Sequence, residues 1–400
     1  MAVEWRDTTL GDFVALQRGH DLTEPERRIG LVPVMGSAGQ NGFHDTALAN
    51  GPGIVIGRSG ASFGQVHFSE DDFWPHNTGL YVTDFKGNDP RFAFYFLKSL
   101  DFDRFNSGSA QPSLNRNFIY PIPIRAPEPA EQKVIAAVLG ALDDKIELNR
   151  RMNATLEAMA RALFQSWFVD FDPVRAKLDG RQPVGLDAAT AALFPGAFQD
   201  SALAHIPQGW ATGKIGDIGT NARRGIQPRD IAPNMPYIAL EHMPRRCIAL
   251  GAWDDCANVA SGKSAFKRGE ILFGKLRPYF HKVGVAPFDG VCSTDLLLAP
   301  KSREWFGFLL GQVSNELIQF TDLASTGTKM PRTNWSDISS FKAALPPKTI
   351  AAAFTRIIQP MLDRIQANLH QSRTLATLRD TLLPKLLSGE LSVAQAQAVV

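Results

Sequence analysis

Cysteine is nearly absent from these 400 residues, and the three present, Cys247, Cys256 and Cys292, show no C-x-x-C spacing. An odd, scattered set argues against a disulfide framework and against a structural zinc site. Long apolar runs are missing too: none approaches the ~18 residues a membrane-spanning helix needs. The opening, MAVEWRDTTLGD, is polar and acidic early, so no signal peptide is expected and the chain reads as soluble and cytoplasmic. With 42 Lys and Arg against 40 Asp and Glu, the net charge of +2 argues for no partner by itself.

Signatures of catalysis are also lacking. The nearest approach to a phosphate loop is Ser261-Gly262-Lys263-Ser264, but Ala257 stands where the leading glycine belongs, so the backbone cradle is not encoded. No G-x-G-x-x-G follows a strand, and no Asp/Asn-Pro-Pro-aromatic run exists to hold an exocyclic amine. Ser59, within Gly57-Arg58-Ser59-Gly60, fails as a nucleophile elbow because position 61 is Ala. The eight histidines have no metal-ligand spacing. The expectation is a chain with no catalytic residue, metal or cofactor of its own.

Hydrophobic pattern, by contrast, is plentiful. Apolar residues make up 44% of the chain, ample for real cores. Ile135, Leu139, Leu142, Ile146, Asn149, Asn153, Leu156, Ala160, Leu163 and Trp167 follow one another at alternating gaps of 4 and 3, a heptad seam. Pro129 suits a first helical turn and Glu131 its positive end. A helix over about 130–168 would be roughly 57 Å long, too long for one small core to wrap. Adding 219 to each position gives Phe354, Ile358, Met361, Ile365, Asn368, Ser372, Leu375, Arg379, Leu382 and Leu386, with Asn149 falling on Asn368. A repeated pattern that repeats its polar interruption implies an internal duplication. Two equivalent halves are most simply related by a pseudo-two-fold axis, so the two helices are expected to run antiparallel with Asn149 approaching Asn368.

The fold expected is α/β (α+β): two similar bodies joined by two long antiparallel coiled-coil helices. The boundaries are a first body at 1–127, a first helix at 128–172, a connector at 173–208, a second body at 209–346, and a second helix with its tail at 347–391. Asp89-Pro90 opens a short helix in the first body. Trp5 and Leu10-Gly11-Asp12 are answered by Trp210 and Ile215-Gly216-Asp217, and Gly108, Pro112 and Asn115 by Gly327, Pro331 and Asn334. The connector shows no persistent period. Pro360 and Pro384 interrupt the second helix and predict kinks or restarts; Gly389 ends it.

The second body is basic: residues 201–346 hold 17 Lys and Arg against 12 Asp and Glu. Arg223, Arg224, Lys275, Arg277, Tyr279, Lys329 and Arg332 mix cation with aromatic as phosphates and base edges require; a solvated basic face is the alternative. Residues 1–125 hold 11 basic against 14 acidic residues, so recognition there must use local clusters. The candidates are Arg18, His20, Arg58, Ser59, Gln111, Asn115 and Arg116. Near the end of the first helix, Met159, Phe164, Phe168 and Phe171 exceed what one seam consumes and form a candidate partner-docking face, matched by Leu378, Leu383 and Leu387. The alternative is that the bodies fold back over that end.

Several runs resemble one family. Ala130-Glu131-Gln132-Lys133-Val134-Ile135, Ile146-Glu147-Leu148-Asn149-Arg150-Arg151 and Phe164-Gln165-Ser166-Trp167-Phe168-Val169-Asp170-Phe171-Asp172-Pro173 resemble the specificity subunits of Type I restriction-modification systems. Phe73-Trp74-Pro75-His76-Asn77-Thr78 and Gly269-Glu270-Ile271-Leu272-Phe273-Gly274-Lys275-Leu276-Arg277-Pro278 look like that family's target recognition domains. Leu382-Leu383-Pro384-Lys385-Leu386-Leu387-Ser388-Gly389-Glu390-Leu391 is similar to its closing helix. The resemblance implies a non-catalytic subunit whose two recognition domains each read half of a bipartite site in double-stranded DNA. It implies docking of two methyltransferase subunits, and restriction (helicase-nuclease) subunits in the same complex. S-adenosylmethionine, ATP and Mg would belong to those partners. Two other readings stay open: a self-sufficient methyltransferase or nuclease, and a coiled-coil scaffold tethering two modules that do not bind DNA.

Overall fold

The computed structural model describes residues 5–108, 111–222, 224–293, 297–315 and 332–397. Its contacts divide into two compact units: residues up to Ile146 with those from Thr374 onward, and Glu147–Arg373. Both mix helices and sheets, an α+β architecture. Each unit therefore includes a body and a stretch of both long helices.

In the first unit, Trp5–Thr9 pairs antiparallel with Pro123–Pro127 and closes the body at its two ends. A four-stranded sheet runs in the order Ala15–Arg18, Gly79–Asp84, Gly53–Gly57, Val66–Ser69. A second sheet has the order Gly39–His44, Val32–Gly36, Trp74–Pro75. The helix Pro90–Ser99 begins as its sequence dictates, with the Asp89 carboxylate accepting from the Phe92 N–H at 2.9 Å. Its Phe92 and Tyr95 are buried with Leu10, Phe13, Ile54 and Ile56. Ile135, Leu139 and Leu142 of the first long helix, and Leu382 and Leu386 of the second, fill the same core. Gln132 anchors the start of the first helix: fully buried, it donates to Asn88 Oδ1 (2.7 Å) and the Pro127 carbonyl (2.9 Å), and accepts from the Asp89 N–H.

The second unit repeats this plan. Ala211–Lys214 pairs with Lys342–Leu345. One sheet has the order Gly219–Thr220, Leu297–Pro300, Ile271–Phe273, Val283–Val285, matching the first sheet strand for strand. Ile54↔Phe68, Val55↔His67 and Ile56↔Val66 correspond to Ile271↔Val285, Leu272↔Gly284 and Phe273↔Val283. A second sheet is formed by Gly225–Ile226, Lys263–Phe266, Gly290–Cys292 and Tyr237–Ile238. The connector, which shows no persistent period, forms the helices Asp172–Leu178 and Ala188–Ala192 and the hairpin Phe198–Ser201/Ala204–Pro207. Val174, Phe194 and Ile206 sink into this unit's core, which explains how short, aperiodic pieces hold a fixed structure.

Both long helices are continuous, Pro129–Phe168 and Lys348–Ser388. The restarts expected at Pro360 and Pro384 do not occur. Each proline is exposed and forfeits one N–H, while buried neighbours such as Ile358, Leu362, Leu382 and Leu386 hold the turns around it. Gly389, at φ 75°, follows the last turn. At the seam, Ile135, Leu139, Leu142, Asn149, Ile358, Ile365, Asn368 and Leu382 are buried, while Ile146, Leu156, Leu163, Met361 and Leu375 are half-buried. Leu362, rather than Met361, takes the inward place there.

Within the second unit the helices pair antiparallel. Asn149 donates to Gln371 Oε1 (2.9 Å) and Ser372 Oγ (3.2 Å), and Asn368 donates to Asn153 Oδ1 (2.8 Å). Asn149 thus meets the helix one turn from the expected Asn368. Trp167 and Phe164 pack on Phe354 at ring separations of 5.6 and 6.0 Å, and that apolar contact fixes the register. The two polar contacts are nonetheless equivalent: an offset of 219 carries Asn149 and Asn153 onto Asn368 and Ser372. Reciprocal contacts of this kind are what a two-fold relation produces.

Candidate nucleic-acid interface

Strand ends and one short helix build a cleft of about 610 Å3 in the first unit. Arg18 ends the first sheet's edge strand and His20 lies just after it, and Arg58 follows Gly53–Gly57. Asn115 caps the helix Arg116–Ile119 by accepting from the Asn117 N–H at 3.0 Å, which holds Arg116 at the cleft. Arg116 also donates to the Leu16 carbonyl at 2.7 Å, and the Tyr120 hydroxyl binds the same residue through its N–H (2.8 Å) and carbonyl (3.1 Å). Three guanidiniums line this cleft against one carboxylate, Asp21, which lies 3.7 Å from Arg18. An acidic body therefore presents a locally cationic concavity. Of the expected residues, Arg18, His20, Arg58, Asn115 and Arg116 come together here. Ser59 is half-buried in a bridge to Ser113, and Gln111 is exposed outside the lining. Gln17, Asp21, Ser107 and Asn117 also line it, with no signal in their residue types to single them out.

The second unit builds the corresponding corner with the same backbone bonds. Gly57 N–H donates to the Gln65 carbonyl and Gly274 N–H to that of Lys282, both at 2.8 Å. Leu114 N–H reaches the Arg58 carbonyl at 2.8 Å, and Thr333 N–H that of Lys275 at 2.9 Å. Ser59↔Ser113 is answered by the bridge Leu276↔Arg332. After it, Arg277 and His281 both have positive φ, 51° and 49°, around a turn carrying the exposed Tyr279. Non-glycine residues in that region store strain, which a functional turn can exploit. Arg245 and Arg277 lie 3.7 and 5.8 Å from the Phe280 ring centre, two cations on one aromatic. Burial, then the neighbouring Arg245, push the Lys282 pKa down. Arg224 is partly neutralised by Glu270. Arg223 and Lys329 lie outside the described residues. Glu241, His242 and Asp254 cluster, but the His242 imidazole accepts from the Ala239 N–H at 3.0 Å and lies 3.2 Å from Asp254, so it is already engaged.

The aromatic docking face needs correction. Phe164 and Phe168 are buried in the second unit, with Phe168 4.8 Å from Phe308 and 4.9 Å from Phe354. Phe171 packs on Trp210 at 5.5 Å. Leu378, Leu383 and Leu387 lie against the first unit's core. Phe164 and Phe168 are thus covered by the chain itself, Phe171, Leu378, Leu383 and Leu387 are half-buried, and Met159 is 48% exposed. The sequence also gave no sign of Glu157. Buried on the long helix, it accepts from the Ile248 and Ala249 N–H groups at 3.0 and 3.1 Å and from the Cys247 thiol at 3.3 Å.

The two α+β units each carry a cationic corner at their strand ends and a share of a long helical pair. Residues 2–158 match the family model described as Type I restriction modification DNA specificity domain. Over that segment and beyond it the chain is similar to specificity subunits of Type I restriction-modification systems. It is 26% identical to the MjaIX specificity subunit of Methanocaldococcus jannaschii, across 86% of this chain and 78% of that one. It is 24% identical to the HindI specificity subunit of Haemophilus influenzae, across 70% and 71%. The fold is similar to the crystal structure of the Type I S subunit from M. genitalium, with a TM-score of 0.56 over 96% of both chains at 16% identity. No helix among the described residues is long and apolar enough to cross a membrane.

Proposed function

We infer that this chain is the sequence-specific DNA-recognition subunit of a Type I restriction-modification complex and performs no chemistry itself. The observation that carries the reading is the cleft where Arg18, Arg58 and Arg116 gather in an otherwise acidic body, inside the family-matched segment. Cations supply salt-dependent attraction to phosphates, while His20, Asn115 and the forks of Arg18 and Arg116 can address base edges. The second unit offers Lys275, Arg277, Tyr279 and Arg332 in the corresponding corner. Two readers imply a bipartite site in double-stranded DNA. The exposed face of the long helices, where Leu148 and Met159 present apolar surface, is the dock proposed for two methyltransferase subunits. S-adenosylmethionine would be held there by the methyltransferase, ATP and Mg by the restriction subunits, and the complex would act in the cytoplasm.

Replacing residues 1–127 with another first body, in a complex with the methyltransferase, should change one half of the methylated site. Methylome sequencing reads this directly. A change in both halves, or in neither, contradicts two independent readers.

A further inference from the structure

Arg58 and Lys275 occupy one structural position in two separately built units. Each follows a glycine at the end of a strand, Gly57 as its last residue and Gly274 just after it, whose N–H is bonded across to the neighbouring segment. Each gives its own carbonyl to the segment ahead of an N-cap asparagine. Arg58 shares its cleft with Arg116, the residue after Asn115; Lys275 shares a smaller concavity with Trp335, the residue after Asn334. The neighbour has changed from guanidinium to indole, while positive charge has stayed at the framed position. Bodies that read different sequences meet the same backbone, so a feature common to both suits the common part of the target. The identity of the cation points the same way. A planar bidentate base contact favours the fork of arginine, whereas a phosphate accepts either cation as a point charge.

We propose that Arg58 and Lys275 are the paired DNA-backbone anchors of the two recognition bodies, each holding a phosphate and neither choosing a base. The proposal rests on the DNA-recognition reading above. Its test uses the full chain assembled with its methyltransferase, comparing Arg58→Ala, Lys275→Ala, Arg58→Lys and Lys275→Arg. For either alanine variant, affinity should fall by the same factor on cognate and random duplexes. The slope of log affinity against log salt should shallow by about 0.9, the value of one phosphate contact. The methylated sequence should not change, and the Arg58→Lys and Lys275→Arg variants should keep both affinity and slope. A variant that melts like the parent yet methylates a different sequence, or leaves the salt slope intact, overturns the anchor role while the DNA-recognition reading stands. A parent complex with no sequence preference in methylation overturns both.

Discussion

Glu157 shows how one side chain can hold a body to a helix. Its carboxylate takes two backbone N–H groups and a thiol, and burial, with Glu157 itself second, pushes the Cys247 thiol up to about 12. A thiol held neutral is a poor nucleophile. At pH 8 iodoacetamide should therefore label native Cys247 far more slowly than the unfolded chain, as peptide mass spectrometry would read. The sign for stability follows. The unfolded thiol ionises near its ordinary value of 9.0 and the folded one does not, so stability falls as pH rises from about 9 toward 12. Glu157→Gln leaves at least one buried N–H with a weaker acceptor. A loss of about 1–3 kcal/mol in urea denaturation is expected, with faster labelling. At this scale the sequence pointed to cations but not to their neighbours. Arg18, Arg58 and Arg116 are far apart in the chain and meet only because two strand ends and a cap converge. Arg224 looked equally available until Glu270 was found beside it.

For the elements, period was a dependable guide and aromatic surplus was not. The 4-3 spacing located both long helices, because a buried stripe must recur at the helical repeat. The same arithmetic could not say what covers Phe164 and Phe168, since burial by a partner and by the chain's own second body leave identical patterns. Truncating a buried Phe to Ala costs about 3–5 kcal/mol. The double change Phe164→Ser and Phe168→Ser should then abolish cooperative thermal unfolding, not merely loosen a partner. Met159→Glu, on the exposed face, should melt as the parent does and weaken co-elution with the methyltransferase in size exclusion. A double serine variant that stays well folded would contradict the core packing of these rings. The prolines teach a related lesson: Pro360 and Pro384 break the intrinsic propensity of the helix, but buried turns on either side outweigh one missing hydrogen bond each.

On the scale of the molecule, the helices are the proposed ruler for the unspecified gap between half-sites. Inserting one helical turn at Ile146/Glu147 and one at Arg373/Thr374 should alter the gap in the methylated site and leave each half-site sequence alone; methylome sequencing of the variant decides it. A gap that stays fixed removes the helices from that role. The sequence by itself determined the repeated plan, since a seam that recurs at an offset of 219 with its polar break intact is a covalent property of the chain. It determined the positions of the long helices and the lack of catalytic motifs in the same way. Tertiary structure alone decided the register, setting Asn149 against Gln371 and Ser372 because aromatic packing fixes the helices more strongly than one polar pair. It also decided which cations converge and which are neutralised, and it drew the connector and the aromatic surplus into the second core. Those outcomes depend on distances between residues far apart in sequence, and periodicity carries no information about them.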